Sequence, residues 1–393
     1  MMTLILFDDH SWDNLLPLTF TRPISALRIG ILTIAEKWEH ELGTGSTPLT
    51  KEYLQNKFPC QTGKENLYIN ASLLPDSEIS TAISRLQENQ ALVRDGVLLA
   101  VRTHESCDAF KPGKWMKGGQ EYPGGIALVD FPWKLFQLNG QEIEADFARI
   151  TRGRHSEKLS PGVLVDQPGN VFVEPGFRGG YFTLNASGGP IYLGAGSEIM
   201  EGCVIRGPFS LGEGAIVKMG ARIYGPTTIG PYCKVGGEIN NSVLLANSNK
   251  AHDGFLGNSV IGEWCNLGAD TNNSNLKNNY GEVKIWNYPS GSMIKTGRQF
   301  CGLIMGDHSK CGINTMFNTG TVVGVSANIF GPGFPPAFIP SFSWGGADGF
   351  TAYRMEKVLE TANLVMERRG MQLSQEDQAI LDHICEYSKI FRK

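Results

Sequence analysis

The sequence predicts an α/β N-terminal domain of Rossmann-like type, then a left-handed parallel β-helix of hexapeptide repeats, then C-terminal helices. The first prediction rests on short apolar runs that alternate with helical patterns. The second rests on aliphatic residues that recur every six positions, and the third on helical spacing after a segment rich in proline and glycine. The expected segments are residues 1–150, a transition over 151–190, the β-helix over 191–335 and a helical extension over 336–393.

The apolar runs of the first segment have the length of buried strands. They lie at residues 4–7, 66–69, 97–101 and 126–129, and a helical pattern covers 29–39. Strands that alternate with helices indicate a partly parallel sheet covered by helices.

The β-helix is predicted by its period. Eight aliphatic residues follow one another at six-residue steps: Leu193, Ile199, Ile205, Leu211, Val217, Ile223, Ile229 and Val235. This period matches neither an amphipathic helix nor strand alternation. Each hexad supplies one strand and one turn, and three hexads make a triangular coil that stacks at roughly 4.8 Å on the next. Left-handed winding needs corners with unusual backbone angles, which the 48 glycines of the chain suit.

The repeat is interrupted after Val235. It resumes at Phe255, twenty residues later, which is not a multiple of six. We therefore expect residues 241–254 to leave the coil as a loop that carries Lys250, His252 and Asp253. The repeat weakens again after residue 272 and partly returns from Ile304.

Two helices are expected near the C-terminus. Helical spacing over 353–369 ends at Gly370, a suitable C-cap, and Ser374 with Asp377 has the spacing of an N-terminal capping pair. These helices are expected to cover the last coil, whose strand edge would otherwise be unpaired.

The composition favours small-molecule ligands. The net charge is −4, the pI is near 6.0 and no run of Lys or Arg occurs, so neither nucleic acid nor an anionic membrane is expected as a partner. We find no secretory signal and no apolar stretch of about 20 residues, so a cytoplasmic location is expected. The eight cysteines are scattered without a CxxC pair and are expected to be reduced thiols.

The stretch 249–275 carries the sharpest chemical signal, beginning Asn-Lys-Ala-His-Asp-Gly-Phe-Leu-Gly. It resembles the acetyltransferase half of the bifunctional uridylyltransferase/glucosamine-1-phosphate acetyltransferase family. The resemblance implies that His252 is the catalytic base, that Asn266 and Asn275 contact the substrate, and that the backbone amide of Ala269 meets the acetyl carbonyl. It also implies acetyl-CoA as acyl donor and a homotrimer with active sites between neighbours. Three residues are candidates for holding the sugar phosphate: Arg222, Lys234 and Lys250.

The chemistry of these residues agrees with such roles. An amine that attacks a thioester must lose a proton, and histidine titrates near neutral pH. An N–H directed at the carbonyl oxygen stabilises the oxyanion. The sequence departs from the family at Phe255, Leu276 and Asp270, which stand where the family has two tyrosines and a glycine. The alternative for His252 is a loop histidine bonded to the backbone, and His308 is interpreted as a residue of the coil surface.

The first segment carries a second resemblance. Leu-Pro-Leu-Thr-Phe-Thr-Arg-Pro at 16–23, followed by Leu-Arg-Ile-Gly at 27–30, looks like the start of a sugar nucleotidyltransferase, an enzyme class that uses Mg²⁺. The usual glycine-rich phosphate loop is replaced by a stretch that begins with Asp8 and Asp9, which would repel a triphosphate unless a cation lay between. Asn70 stands where a magnesium-binding aspartate is usual. Arg22 and Arg28 either contact phosphate or form ion pairs with Asp8 or Asp9.

Together these patterns predict a sugar-phosphate transferase. The β-helix would transfer an acetyl group from acetyl-CoA to an amino-sugar phosphate, and the first domain would perform sugar-1-phosphate nucleotidyl transfer if it is active, with a nucleoside triphosphate and Mg²⁺. Two alternatives stay open. One is a non-catalytic regulatory or scaffold protein, as in the translation initiation guanine-exchange subunits that share this domain pairing, and the other is a nucleotidyltransferase with a structural β-helix.

Overall fold

The computed structural model describes residues 2–392 and divides the chain into two compact units. The first unit contains the chain up to Leu15, Thr21–Leu27 and Leu32–Phe131. The second contains Leu16–Phe20, Arg28–Ile31 and everything from Pro132 onward. The division therefore falls before the helix that begins at Pro132, and not at residue 150 as the sequence suggested.

The elements up to Thr151 are short, apart from one helix of 20 residues. The strands are β1 (Met2–Phe7), β2 (Arg28–Ile29), β3 (Leu32–Thr33), β4 (Ser46–Leu49), β5 (Glu65–Asn70), β6 (Gln90–Arg94), β7 (Val97–Thr103) and β8 (Gln120–Glu121). The helices are α1 (Ser11–Asn14), α2 (Ile34–Leu42), α3 (Ser77–Ser84), α4 (Pro112–Met116) and α5 (Pro132–Thr151), with 3₁₀ turns at Ile24–Ala26 and Glu52–Leu54.

The first unit is built on a mixed six-stranded sheet in the order β4-β1-β5-β7-β6-β8. Strand β1 pairs in parallel with β4 and β5, whereas β7 is antiparallel to β5 and β6. The predicted strands at 4–7, 66–69 and 97–101 are confirmed. The strand predicted at 126–129 is wrong, since only a single bridge from Leu73 to Leu128 forms there. Helix α2 begins later than predicted, at Ile34, because Thr33 and Glu36 form a capping box.

The second unit continues with 29 strands and two further helices among the described residues. The strands are β9 (Leu164–Asp166), β10 (Val171–Val173), β11 (Arg178–Gly179), β12 (Thr183–Asn185), β13 (Ile191–Leu193), β14 (Glu198–Ile199), β15 (Val204–Arg206), β16 (Phe209–Leu211), β17 (Ile216–Val217), β18 (Arg222–Tyr224), β19 (Thr227–Ile229), β20 (Lys234–Val235), β21 (Glu238–Asn240), β22 (Val243–Leu244), β23 (Asn249–Lys250), β24 (Phe255–Gly257), β25 (Val260–Ile261), β26 (Asn266–Leu267), β27 (Asn272–Asn273), β28 (Lys284–Asn287), β29 (Ser292–Lys295), β30 (Ile304–Met305), β31 (Lys310–Cys311), β32 (Met316–Phe317), β33 (Val322–Val323), β34 (Asn328–Ile329), β35 (Phe338–Ile339), β36 (Ser343–Gly346) and β37 (Gly349–Ala352). The helices are α6 (Met355–Glu367) and α7 (Gln375–Tyr387), with 3₁₀ turns at Pro168–Asn170 and Ser388–Phe391.

These strands form the predicted parallel β-helix with three faces. The first face runs β10-β13-β16-β19-β22-β25-β30-β33-β35, and the second runs β11-β14-β17-β20-β23-β26-β31-β34-β36. The third runs from β9 through β12, β15, β18 and β21 to β24, and continues with β27 and β32. All eight aliphatic residues of the hexad series are buried in one core. The fold class predicted from the period is therefore confirmed.

The coil begins earlier than the sequence indicated. Strand β9 already pairs with β12, and β12 with β15, so much of the expected transition over 151–190 is coil. The partners Val165, Leu184 and Ile205 lie nineteen and then twenty-one residues apart rather than eighteen. Longer turns therefore hide the six-residue step in this segment.

The expected loop at 241–254 is wrong. Val235 pairs with Lys250 only fifteen residues later, and Ile239 pairs with Leu256 seventeen residues later. These coils are shortened, and no segment leaves the β-helix there. The chain leaves the coil instead after β27, where β28 and β29 form an antiparallel hairpin. It rejoins the coil at Cys301, whose N–H donates to the Asn275 carbonyl at 2.9 Å.

Helix α5 packs against the first face, beside β16, β19 and β22. Asn139 on this helix accepts hydrogen bonds from the Gly30 N–H at 2.8 Å and from the Thr228 hydroxyl at 3.0 Å. Gly30 has a φ of +73°, and a Cβ there would lie 2.6 Å from an Asp146 carboxylate oxygen. Only glycine combines this left-handed backbone with so close an approach.

The C-terminal helices agree with their sequence signals. Ser374 and Asp377 form a capping box at the start of α7, and Gly370 has a φ of +70° after α6. The ring of Phe391 packs 6.2 Å from that of Phe338, which lies on the last strand of the first face. The C-terminal segment therefore contacts the last coil, as expected.

The cysteines depart from the expectation at one pair. Cys60 and Cys107 are joined as a disulfide, with their Cα atoms 6.5 Å apart, while the other six are free thiols. Cys60 and Cys107 are 47 residues apart in the sequence, and this spacing gives no signal that they pair. Within residues 2–392, no helix has the length and apolar character needed to cross a membrane.

Candidate active sites

The first unit has a cavity of about 600 Å³ at the carboxyl ends of β1 and β4. Ligands of open α/β sheets bind at such strand ends. Its lining includes Asp8, Asp9, Asp13, Lys51 and Asp108. The Lys51 ammonium lies 3.1 Å from both carboxylate oxygens of Asp13. The predicted residues Asp8 and Asp9 therefore lie in a strand-end cavity of the kind that usually holds a ligand.

Asp8 is held by the protein itself. One carboxylate oxygen accepts the Ile24 N–H at 3.0 Å, and the other accepts the Thr50 hydroxyl at 2.6 Å. Burial raises the pKa of Asp8 to about 7, although these two hydrogen bonds act in the opposite direction and nearby Asp9 adds to the increase. Asp8 is therefore poorly suited to bind a cation as a free carboxylate.

Asp9 is also hydrogen-bonded within the protein, in part to Asn70, the residue that stands where an aspartate was expected. The Asn70 side-chain amide donates to an Asp9 oxygen at 3.0 Å and to the Leu98 carbonyl at 3.1 Å. The other Asp9 oxygen accepts the Ser11 N–H at 2.8 Å. Within residues 2–392, no three side chains of His, Cys, Asp or Glu are grouped to hold a metal ion. This donor set does not fit a magnesium ion.

The structure places the two predicted phosphate-binding arginines in different units. Arg22 is buried in the first unit, where its carbonyl accepts the Trp12 indole N–H at 3.2 Å. Arg28 belongs to the second unit, and its guanidinium donates to the Ile31 carbonyl.

In the second unit, His252 and Ala269 lie at the corner between the second and third faces. His252 follows β23 and Ala269 follows β26 one coil later, and the Asp270 N–H bonds the Asp253 carbonyl at 3.1 Å between these two turns. The His252 side chain is exposed and has no hydrogen-bond partner among the described residues. The Ala269 carbonyl accepts the Asn314 N–H, whereas its own N–H donates no hydrogen bond within residues 2–392. Two of the predicted site residues are thus brought together with free polar groups.

Lys250 lies inside the β-helix rather than in a loop. It occupies the inward position that Val235 has in the preceding coil, and only 1% of the residue is exposed. Its ammonium donates to the carbonyls of Gly236, His252 and Asp253. Burial lowers the pKa of Lys250 to about 8. All three ammonium protons are directed at the protein, so Lys250 supports the His252 turn from within.

The two predicted asparagines lie apart from each other. Asn266 is exposed on the second face, where its side-chain oxygen accepts a hydrogen bond from the Asn249 side-chain amide at 3.4 Å. Asn275 follows β27, at the far end of the third face, and donates to the Asn258 side chain at 2.8 Å. Of the other phosphate candidates, Arg222 lies 3.6 Å from Glu238 on the third face, and Lys234 lies on the second.

Two asparagines that the sequence pattern did not single out continue the third face. The side-chain oxygen of Asn272 accepts the Phe255 N–H at 2.8 Å, and that of Asn273 accepts the Gly257 N–H at 2.9 Å. Side chains therefore replace the backbone ladder between β24 and β27. The signal available was the Asn-rich run at 272–275, which is unusual for a strand.

Cys265 and His308 are placed away from the His252 corner. Cys265 is buried, its thiol contacts the Gly306 carbonyl at 3.2 Å, and burial raises its pKa far above the usual range. A thiol in this state is not a nucleophile. His308 lies at the corner between the first and second faces, with its ring 6.4 Å from that of Trp264.

Comparison with known proteins adds a family match for the first part of the chain. Residues 4–155 match the family model described as sugar nucleotidyl transferase. This match supports the predicted class of enzyme, a transferase. No curated protein sequence matches the chain.

Comparison with solved structures finds similar chains at low identity. The UDP-N-acetylglucosamine acyltransferase of Arabidopsis has 18% identity and a TM-score of 0.24, over 54% of this chain and 77% of its own. The corresponding enzyme of Francisella novicida has 14% identity and a TM-score of 0.20, over 59% and 76%. A hexapeptide transferase family protein from Anaplasma phagocytophilum has 14% identity and a TM-score of 0.16, over 58% and 92%. Because these identities and TM-scores are low, the β-helix is assigned from the strand pairing of this chain alone.

Proposed function

We propose that the chain is a sugar-phosphate transferase that moves an acetyl group from acetyl-CoA to an amino-sugar phosphate at the β-helix corner formed by His252 and Ala269. The observation that carries the proposal is the exposed imidazole of His252, without a partner among the described residues, beside a free N–H in the next coil. Polar groups held ready by the backbone yet unbonded are typical of a site that completes its hydrogen bonds with a substrate.

In the proposed reaction, the amine nitrogen attacks the thioester carbonyl carbon. His252 removes the proton that the nitrogen must lose, and the Ala269 N–H stabilises the negative charge on the carbonyl oxygen. The carbon–sulfur bond then breaks, and the proton on His252 passes to the departing sulfur. An N-acetyl sugar and a free thiol result.

Lys250 is proposed to act as a positioning residue for this base. Its ammonium binds the carbonyls of His252 and Asp253, so it fixes the turn on which the imidazole stands. A buried ammonium is costly unless its donors are bonded, and here all three are. This role replaces the sugar-phosphate contact that the sequence resemblance implied for Lys250.

A homotrimer in the cytoplasm is part of the same proposal. Apolar side chains are exposed on the third face and on its corner with the second: Leu164 (70%), Val204 (47%), Met219 (69%) and Ile313 (72%). An apolar surface of this kind supports contact with another copy of the chain. Sedimentation of the intact protein measures the subunit number directly.

A second candidate concerns the first unit alone. Its match to sugar nucleotidyl transferases supports nucleotidyl transfer, but Asp8 and Asp9 are bonded internally and Asn70 replaces a metal-binding carboxylate. We therefore propose that this unit keeps the nucleotidyltransferase fold without magnesium-dependent transfer and has a regulatory or structural role.

The test compares His252→Gln with His308→Gln in acetyl transfer to glucosamine 1-phosphate and related amino-sugar phosphates. Loss of a general base typically costs 10²–10⁴-fold, so His252→Gln is expected to lose at least about a hundredfold in turnover with an unchanged fold. His308→Gln, at the opposite end of the second face, is expected to keep its activity. Wild-type turnover in His252→Gln would reject the proposal.

Ligand stabilisation separates the two sites. A ligand that binds the native state raises the melting temperature. Acetyl-CoA is expected to raise that of the wild-type protein, whereas magnesium is expected not to increase any stabilisation by UTP. An increase in the stabilisation by UTP when magnesium is added would instead favour an active nucleotidyltransferase domain.

A further inference from the structure

Four basic residues that the proposed acyl-transfer reaction does not use lie on or beside the second face of the β-helix. Lys218 follows β17, Lys234 lies on β20, and Arg368 and Arg369 follow helix α6. We call these four residues the basic cluster. Across residues 2–392, none of the four has a carboxylate within ion-pair distance, whereas Arg178 and Arg222 on neighbouring coils each do.

Arg369 joins the C-terminal helix to this face. Its guanidinium donates to the Tyr232 carbonyl and, at 3.1 Å, to the side-chain oxygen of Asn249. The same group lies 6.0 Å from the ring centre of Trp264. These contacts fix one edge of the guanidinium beside Lys234, whose neighbour in the next coil is Asn249.

The cluster concentrates positive charge without local compensation. The pKa of Lys234 is lowered, first by burial and then by the charges of Arg369, Lys218 and Arg368. Two carboxylates of adjoining segments are already used, since Glu213 accepts the Tyr232 hydroxyl at 2.7 Å and Glu367 accepts the Asn363 amide. Repulsion of this kind destabilises the free protein, and an anion that binds would relieve it.

The contacts of Arg369 alone have a structural explanation, because a guanidinium that bonds a carbonyl and an amide can anchor a helix. The other three members do not share it. Lys218, Lys234 and Arg368 donate no side-chain hydrogen bond to any described residue. Their ammonium and guanidinium groups point to a partner that the chain itself does not supply.

We infer that the basic cluster is a binding site for a phosphate monoester or diphosphate. Two guanidinium and two ammonium groups match the charge and the several acceptor oxygens of such an anion. The C-terminal helices would then have a second role besides contacting the last coil, because they supply half of the binding groups. This inference does not depend on the role of His252.

Binding of inorganic pyrophosphate to the intact protein, measured by calorimetry at low ionic strength, tests the site. The double variant Lys234→Gln/Arg368→Gln removes two charges that make no bond within the described chain, so the fold is expected to persist. Its affinity for pyrophosphate is expected to fall at least tenfold, because two of the four positively charged donors are lost. Arg369→Lys keeps the positive charge but loses the two-pronged guanidinium group. A smaller loss of pyrophosphate affinity is expected for this variant. Lys158→Gln, which removes an exposed lysine elsewhere in the second unit, is the matched control.

Competition identifies the source of the phosphate. Displacement of pyrophosphate by glucosamine 1-phosphate would assign the site to a sugar phosphate, and displacement by coenzyme A would assign it to the acyl donor. Failure of both to compete would contradict the inference, as would equal affinity in the wild type and the double variant. His252→Gln is expected to bind pyrophosphate like the wild type, so a failure of the acyl-transfer proposal would leave this result intact.

Discussion

The strand-end cavity of the first unit and the His252 corner of the second differ in where their polar groups are directed. In the first, Asp8 accepts an N–H and a hydroxyl, and Asp9 accepts an N–H and the Asn70 amide. In the second, His252 and the Ala269 N–H have no partner among the described residues. The first site is stabilised by its own hydrogen bonds, whereas the second leaves polar groups unbonded at the surface.

This difference shows why family resemblance and chemical competence can separate within one chain. A fold persists when its core and hydrogen bonds persist, and function depends on particular groups at a site. In the first unit, Asp8 and Asp9 accept backbone N–H groups at the end of β1, and the six-stranded sheet is complete. The match over residues 4–155 is therefore evidence for the fold of this unit more than for its reaction.

Asn70→Asp tests the first half of the comparison and has the largest expected effect. The change removes both amide hydrogen bonds, to Asp9 and to the Leu98 carbonyl, and places two carboxylates about 3 Å apart. Loss of a buried hydrogen-bonded group together with like-charge repulsion is expected to lower the free energy of unfolding by about 3 kcal/mol. Urea unfolding, with hydrogen exchange in β1 and β5 to locate the effect, measures it.

The matched control for that prediction is Asn278→Asp, the same change in an exposed position, where an effect within about 0.5 kcal/mol is expected. Added magnesium is expected not to rescue Asn70→Asp, because the remaining donors are engaged. Full recovery of stability with magnesium would show that the strand end still assembles a metal site and would overturn the comparison.

Lys250→Met tests the second half. Methionine suits the inward column between Val235 and Leu267, so the β-helix is expected to stay folded, and apolar replacement of a buried charge is often tolerated. The His252 turn loses two carbonyl contacts, and acetyl transfer is expected to fall about tenfold, near 1.4 kcal/mol. The control is Lys310→Met, whose ammonium bonds the His308 carbonyl at another corner. Equal turnover in both variants would remove Lys250 from the site.

The sequence predicted the β-helix where its turns have constant length. From Leu193 to Val235 the six-residue step and the register agree, because every inward position is aliphatic and every coil has eighteen residues. The prediction failed where turns lengthen, before Ile191, and where they shorten, after Val235. Coil length is set by corner geometry, which a fixed period does not capture.

Candidate site residues were predictable only where they lie close together along the chain. His252 and Ala269 were predicted as a pair because they lie in one recognisable run, and the structure places them on neighbouring turns. The inward position of Lys250 was not predicted, because a charged residue is not expected in the core of the β-helix. The three carbonyls that accept its ammonium protons explain its burial. The contact of Arg369 with Asn249 joins residues 120 positions apart, and no local pattern indicates it.

Asp8→Asn is the smallest expected effect and sharpens the comparison through pH. The folded-state pKa of Asp8 is raised to about 7, whereas an unfolded aspartate titrates near 3.9. Between these values the native state holds more protons than the unfolded state, so this carboxyl lowers stability as pH rises from about 4 to 7. Asparagine does not ionise, and its side-chain oxygen can still accept the Ile24 N–H. The variant is therefore expected to gain on the order of 1 kcal/mol over the wild type at pH 8 and less at pH 5.

Urea unfolding at both pH values measures the difference, and Asp95→Asn, an exposed carboxylate paired with Arg94, serves as control because surface pairs contribute little. A gain that is equal at pH 5 and pH 8 would mean that Asp8 is ionised throughout and available to a cation. A gain that is larger at pH 8 than at pH 5 would show that Asp8 keeps its proton in the folded protein at mildly acidic pH. Its carboxyl would then be part of the hydrogen-bonded structure of the first unit, in contrast to the unbonded imidazole of His252.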